Sequence, residues 1–502
     1  MKIRSEKKNG VVLSYISMMI EVLVSLVYTP VMLRLLGQSN YGVYQAAASV
    51  ISYMTLFSLG FNSAYMRFYA RYKVKEDQDG IQRLNFLFFT VFSIAGLLSL
   101  VSGCVLATQP ALVFGNKFTG AELRTSSILL VIMAINMAIT FFSTIFSMYV
   151  DAQEKFTFEK IVSICSTVLK PTVTLPLLLL GYGSVGMTVA TTVVTIGVTI
   201  ANFRCATRCG MKFRFGKIDK SLLREVLVFS VFIFITSVAG VINATIDTLL
   251  LSHFEGPKAV AIYEIGSKFN SYFMFFSLSV TGVFIPKVNM MVANEESNGG
   301  LTDLLIRIGR FQFMLMAFIL GGFTLLGKFF IGIYAGAGYE ESYRIAMWIM
   351  FGSFIPYTQN IGIEIQKAKN KHIFRSLAFL GIALANIAFS IPFIRAFGIS
   401  GAAAGTALSL LLGNTILMNF YYKFGIGLEM GRFWKSMVKP ALAFLAPMVP
   451  CGAYVILRGV NSIVEFLVVG VVYSLLFIAG EWLLAMNEYE KGTIKSFLHF
   501  KT

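Results

Sequence analysis

Several ionisable side chains stand where the chain is otherwise apolar enough to cross a membrane. Four are cationic: Arg34 in LRLLGQSNYGVY, Lys170 in LKPTVTLP, Lys268 in YEIGSKFN and Arg67 in SAYMRFYARY. A charge at bilayer depth costs a few kcal/mol, so it faces an aqueous cavity or a partner. Guanidinium and ammonium groups satisfy phosphate oxygens in low dielectric, so this set suits a phosphate-bearing ligand. Simpler readings stand beside that one. Arg34 and Arg67 lie near span ends, where their stems can snorkel to the headgroups. Lys268 can pair with Glu264, one turn earlier in the favoured Glu-to-Lys order. Lys170 has no such neighbour, and it precedes Pro171, whose missing N–H opens the backbone ladder.

The acidic counterparts are Glu21, Asp247 and Glu264. Carboxylates in the bilayer carry protons or coordinate Na⁺ in coupled transporters. Asn386, Ser390 and Thr406 offer oxygens that, with Asp247, could hold a hard cation; ordinary hydrogen bonding between helices is the plainer use of such residues. Enzymatic chemistry finds no foothold. The three histidines (His253, His372, His499) lie at span ends or in loops, and the five cysteines show no metal-ligand spacing. Cys205 and Cys209 read as free thiols. No phosphate-binding loop, zinc spacing or nucleophile elbow is present. The expectation is a non-enzyme without cofactor or firm metal site, coupled to Na⁺, H⁺ or the membrane potential.

The elements that position these residues follow from composition. Of 502 residues, 56% are hydrophobic and 13% charged, about half the charge of a soluble chain. Apolar runs of about 20 residues recur, the length that spans a bilayer, and the alternating polarity of a β-barrel is absent. Fourteen spans are expected, at about 11–35, 41–66, 85–107, 126–150, 161–182, 184–203, 226–250, 258–285, 310–334, 343–363, 376–396, 400–421, 438–457 and 464–486. The basic run RCATRCGMKFRFGKIDKSLLR between the sixth and seventh spans belongs on the cytoplasmic side by the positive-inside rule. With that side fixed, seven of the 42 Lys and Arg fall outside, three lie within spans, and all others fall inside. Both termini are then cytoplasmic. The net charge of +17 is spread over short loops that face anionic headgroups, which argues against nucleic acid. The basic N-terminus runs into an apolar stretch too long for a cleaved signal peptide.

The halves resemble one another. LPLLLLGYGSVGMTVATTV from Leu175 matches IPFIRAFGISGAAAGTALS from Ile391, pairing Pro176 with Pro392, Gly183 with Gly398 and Thr191 with Thr406. Tyr44 and Tyr263 follow short turns at a similar offset. Six spans per copy make the repeat parallel. The expected architecture is therefore an all-α polytopic membrane protein with two six-helix lobes around a central cavity. The N-terminal lobe covers 1–203, a basic linker 204–225 and the C-terminal lobe 226–423, with two further helices and a tail over 424–502. The repeat places neutral Asn386 opposite Lys170.

Four stretches carry a family resemblance: YTPVMLRLLGQSNYGVYQAAASV, FRFGKIDKSLLREVLVFS, IDTLLLSHFEGPKAVAIYEIGSKF and YGSVGMTVATTV. Over about residues 8–486 the chain resembles bacterial polysaccharide flippases of the Wzx type, within the multidrug/oligosaccharidyl-lipid/polysaccharide exporter superfamily. That resemblance implies two lobes around a cationic cavity and alternating-access exchange of undecaprenyl-pyrophosphate-linked oligosaccharide across the bacterial cytoplasmic membrane. It implies membrane lipids, a polysaccharide polymerase and glycosyltransferases as partners. In related lipid II flippases, cavity arginines fall on positions matching Arg34, Arg67 and Lys268, the last with Lys for Arg, which weakens bidentate phosphate binding. Some of those relatives bind Na⁺ at positions resembling Asp247, Asn386, Ser390, Ala402 and Thr406, with Ser390 where a second acid is expected. The rival readings are a lipid II flippase, a multidrug or metabolite cation antiporter, and a non-transporting scaffold of a glycan synthase complex. Scaffolds have no need of midplane charge.

Overall fold

The computed structural model describes residues 2–58, 60–216 and 220–499, so Lys217 of the basic run lies outside the described residues. The side chains of His372 and His499 are likewise outside them. Every regular element among the described residues is helical. Among those residues, twelve helices are long and apolar enough to cross a membrane without interruption. The two other expected spans are present as broken helices, described below. By packing the chain divides into two units, Met1–Ile262 and Tyr263–Thr502.

In the first unit α1 is Lys2–Leu36, α2 Gln38–Met54, α3 Phe61–Val74, α4 Gln78–Thr108, α5 Pro110–Phe114, α6 Gly120–Ala152, α7 Phe156–Leu179, α8 Gly183–Arg208 and α9 Lys220–Phe254. Local sequence sets the starts. Asp77 accepts a hydrogen bond from the Gly80 amide at 2.7 Å to open α4, and Thr119 and Glu122 form a reciprocal capping box at α6, each satisfying amides that a helix start leaves free. The second expected span is α2 and α3, joined by a tight turn over Thr55–Ser58 and by Gly60 in the left-handed region at φ 70°. α4 packs on α6, α6 on α8, α1 on α7 and α7 on α8, while α9 lies against α2 and α3. The core is aromatic: Phe61 and Tyr65 of α3 meet Phe88 of α4 edge-on at centroid distances of 6.1 and 5.1 Å, the arrangement that ring quadrupoles favour. The Tyr65 hydroxyl donates to Asn85 at 2.7 Å, and the Asn85 amide donates to the Lys212 carbonyl at 3.0 Å. That chain of bonds ties the basic run to the core.

α10, Pro257–Ala293, carries the division between units. The second unit continues with α11 Asn298–Ala335, α12 Glu341–Thr358, α13 Asn360–Ala368, α14 His372–Phe397 and α15 Ile399–Leu410. Next come α16 Met418–Tyr421, α17 Met430–Arg458, α18 Ile463–Gly480 and α19 Glu488–His499. The tenth expected span is α12 and α13, broken at Gln359 just after Pro356. Irregular backbone at membrane depth persists only where buried partners satisfy it. Here Ser277 donates to the Tyr357 carbonyl at 2.6 Å, Asn360 donates to the Ser277 hydroxyl at 2.7 Å, and Gln359 and Asn419 form a reciprocal amide pair at 3.1 and 3.0 Å. The twelfth span runs from α15 to α16 through π-helical turns at Leu411–Leu417 and Tyr422–Ile426.

The sequence repeat has a conformational counterpart. Gly183 and Gly398, at the starts of α8 and α15, have φ of 57° and 59°. A side chain at either would be strained, so both matched positions favour glycine.

Arg310 stands at the inner edge of the ninth expected span, where the positive-inside rule accounts for it as a loop charge. It is instead 6% exposed. Its guanidinium donates to both Glu490 oxygens at 2.5 and 2.9 Å and to the carbonyls of Ser436 at 2.5 Å and Ala485 at 2.7 Å. This pair fastens α19 to α11 and α17.

Candidate functional site

The first unit contains a polar cavity of about 360 Å³ between α1, α6, α7 and α8. Its polar lining comes from four otherwise apolar helices: Glu21 on α1, Ser147 and Asp151 on α6, Glu159, Ser163 and Lys170 on α7, and Asn202 on α8. α1 and α7 are zipped beside it by Tyr28 and Thr174, whose hydroxyls are 2.8 Å apart, and by Ser17 and Ser163 at 3.5 Å. Lys170 is exposed, and α7 presents it with Glu159 to the same cavity.

The cavity is of mixed charge. Lys170 shares it with Glu21, Asp151 and Glu159. Glu159 is neutralised by Lys160, whose ammonium lies 3.1 Å away. One Asp151 carboxylate oxygen, Oδ1, is buried without a hydrogen-bond partner among the described residues, and its neighbour Glu159 interacts with the same carboxyl. An anion binding at Lys170 therefore gains one ammonium and meets at least one nearby carboxyl. Asp151 and Glu159 were hidden in the sequence because DAQEKFTFEK reads as a solvated turn. Their spacing across the α6–α7 junction puts both on the cavity wall.

Arg34 and Arg67 do not line this cavity. Arg34 is exposed in the last turn of α1, where a cation complements the helix dipole. Arg67 is exposed on α3, with its guanidinium 4.6 Å from the centroid of the Phe229 ring of α9, a cation–π geometry. Asp247 on α9 is 4% exposed, with Tyr53 of α2 inside its electrostatic reach.

In the second unit, Glu264 and Lys268 sit one turn apart on α10, both half-buried, and the Glu264 charge acts on the Lys268 ammonium. Asn386, Ser390 and Thr406 come together between α14 and α15. Ser390 donates to Asn386 Oδ1 at 2.8 Å and Thr406 donates to the same oxygen at 3.2 Å. Three oxygens thus converge on one point, held by the hydrogen bonds that helix packing also asks of such residues. Among the described residues no group of three or more His, Cys, Asp or Glu is placed to hold a metal ion.

Comparison with known proteins shows a family and a fold. A family model described as "Polysaccharide biosynthesis protein" matches residues 7–292. A structure of lipid II flippase MurJ in an inward closed conformation has a TM-score of 0.75 at 16% identity, covering 94% of this chain and 97% of that one. An inward-facing multidrug resistance MATE family transporter of the MOP superfamily has a TM-score of 0.65 at 13% identity, covering 86% of this chain and 99% of that one. A ligand complex of the MATE multidrug transporter DinF-BH has a TM-score of 0.58 at 14% identity, covering 84% and 95%. No curated protein matches. At these identities the structural likeness establishes the fold. The family match spans more than half of the sequence, and with it the chain belongs to the polysaccharide biosynthesis protein family, built on the fold shared by MOP-superfamily flippases and transporters.

Proposed function

We propose that the protein is a flippase that carries undecaprenyl-pyrophosphate-linked oligosaccharide across the bacterial cytoplasmic membrane by alternating access, for cell-surface polysaccharide synthesis. The observation that carries this reading is Lys170, a cation inside a span and open to a polar cavity, in a chain of the polysaccharide biosynthesis family. The ammonium binds a phosphate oxygen of the headgroup. Hydroxyls and amides around it accept and donate to sugars, while the prenyl tail stays in lipid. Lys268, Arg34 and Arg67 serve the same headgroup at other stages of its passage. The membrane potential or a gradient of Na⁺ or H⁺ drives the return. A Na⁺ dependence lost in Asn386→Ala would assign the coupling to the α14–α15 oxygens. Both termini face the cytoplasm, and the polymerase and glycosyltransferases that act on the same lipid are the natural partners.

A lipid II flippase is the second reading, favoured by likeness to MurJ over nearly the whole chain. Complementation separates the two. Expression should restore surface polysaccharide in a strain lacking its oligosaccharide flippase and should leave a strain depleted of its lipid II flippase unable to grow. Rescue of the second strain alone would reverse the assignment. The cavity carboxyls Glu21 and Asp151 are what an antiporter of cationic drugs would use; expression should leave drug susceptibility unchanged.

A further inference from the structure

A groove of about 390 Å³ opens on the flank of the second unit, between the end of the twelfth span and the start of α17. One wall is a single helical face, Thr415, Ile416, Asn419, Phe420 and Lys423, and Trp434 stands on the other. Ile416 and Phe420 are 49% and 60% exposed, as side chains that meet lipid are. Lys423 is exposed and makes no ion pair among the described residues; its ammonium rests 5.1 Å from the Phe424 ring centroid. Arg432 nearby is committed, at 2.6 Å to Asp303 and 3.1 Å to Glu429. The Thr415 hydroxyl is buried with no hydrogen-bond partner among the described residues. Both π-helical turns of this span border the groove, a distortion that often marks a functional position.

We propose that this groove is a selective site for an anionic phospholipid. Lys423 receives the phosphate, and Ile416 and Phe420 flank the first carbons of an acyl chain. The choice of phosphodiester over pyrophosphate follows from charge. One free ammonium matches a monoanionic headgroup, whereas the neighbouring guanidinium is already neutralised twice. Trp434 supplies the amphipathic ring that marks the headgroup level of a membrane. The site has a reader built into it. The Trp434 indole N–H donates to Asn419 Oδ1 at 2.9 Å, and Asn419 is the amide partner of Gln359 at the break between α12 and α13. A lipid seated against Asn419 and Trp434 thus touches the polar network that holds that interruption.

This inference does not depend on the transported glycan, and its test needs no transport. The chain has three tryptophans, so Trp348→Phe with Trp482→Phe leaves Trp434 as the only fluorophore of its kind. The protein is reconstituted in vesicles of phosphatidylcholine doped with chain-brominated phosphatidylglycerol or, separately, chain-brominated phosphatidylcholine. The expected result is a roughly five-fold preference for phosphatidylglycerol in quenching of Trp434, the effect of about one well-placed cation at a membrane surface. Lys423→Gln should abolish the preference, Lys423→Arg should keep it, and Lys435→Gln should leave it intact. Equal quenching by the two lipids, or a preference that survives Lys423→Gln, would overturn the proposal. If the double Phe background does not fold, native mass spectrometry of the wild type and Lys423→Gln reads the same question. Retention of phosphatidylglycerol by the wild type and its loss in the variant supports the site; equal retention rejects it.

Discussion

Lys170 and Arg310 are both cations on membrane helices, yet their surroundings give them opposite roles. Lys170 is open to a cavity and shares it with carboxyls, so its charge is available to a ligand. Arg310 is closed off: two carboxylate oxygens and two carbonyls take its guanidinium N–H groups. A second buried carboxyl, Glu481, has no hydrogen-bond partner among the described residues and lies within the field of Arg310. Removing one member of a buried pair strands a charge and costs about 3–5 kcal/mol, while replacing both by apolar groups is nearly neutral. Arg310→Met should therefore lower the thermal midpoint of the detergent-solubilised protein sharply, and Arg310→Met with Glu490→Leu should recover much of the loss. An Arg310→Met protein that melts like the wild type would remove the pair from the list of stabilising contacts. Lys170 was legible in the sequence because a charge inside an apolar run demands an explanation. Arg310 was not, because a charge at a span edge is already explained by topology, and its partner lies 180 residues away.

Helices as elements show the same division between what spacing reveals and what packing decides. The long apolar runs give the uninterrupted helices directly, and each of the two broken spans has a glycine or proline at or near the break. Gly60 adopts a left-handed conformation between α2 and α3, and Pro356 precedes the break at Gln359. Neither break could be located from hydropathy, because the apolar pattern continues through both. What makes the second tolerable is remote: Ser277 and Asn419 supply hydrogen bonds from other helices. Backbone geometry gives a paired prediction. Gly398 has φ 59° and ψ −136° at the start of α15, a region closed to side chains, so Gly398→Ala should cost about 1–3 kcal/mol. Gly381 lies inside α14 with open space where a Cβ would go, so Gly381→Ala should be neutral or stabilising by up to about 1 kcal/mol. The thermal midpoint should fall for Gly398→Ala and hold or rise for Gly381→Ala; a matching fall in both would mean that Gly381 serves a packing role.

For the whole molecule, composition was decisive. High hydropathy, low charge and the placement of Lys and Arg in loops led to a polytopic helical membrane protein, and the family match and fold agree with that class. Cargo was less legible. Sugars contact dispersed polar side chains with no local spacing, and the carboxyls that share a cavity with Lys170 became neighbours only through the packing of α1, α6, α7 and α8. The central claim is that Lys170 receives the phosphate of a lipid-linked glycan during its passage. The measurement that bears on it most directly is reconstitution in liposomes containing a fluorescent undecaprenyl-pyrophosphate oligosaccharide, with chemical quenching of the outer leaflet. Wild-type protein should expose the inner-leaflet pool to quencher. Lys170→Ala, at equal amount and equal melting temperature, should slow that exposure by about ten-fold or more, the loss of one charge-assisted hydrogen bond, and Lys170→Arg should retain most of it. Transport by Lys170→Ala at the wild-type rate would contradict the assignment.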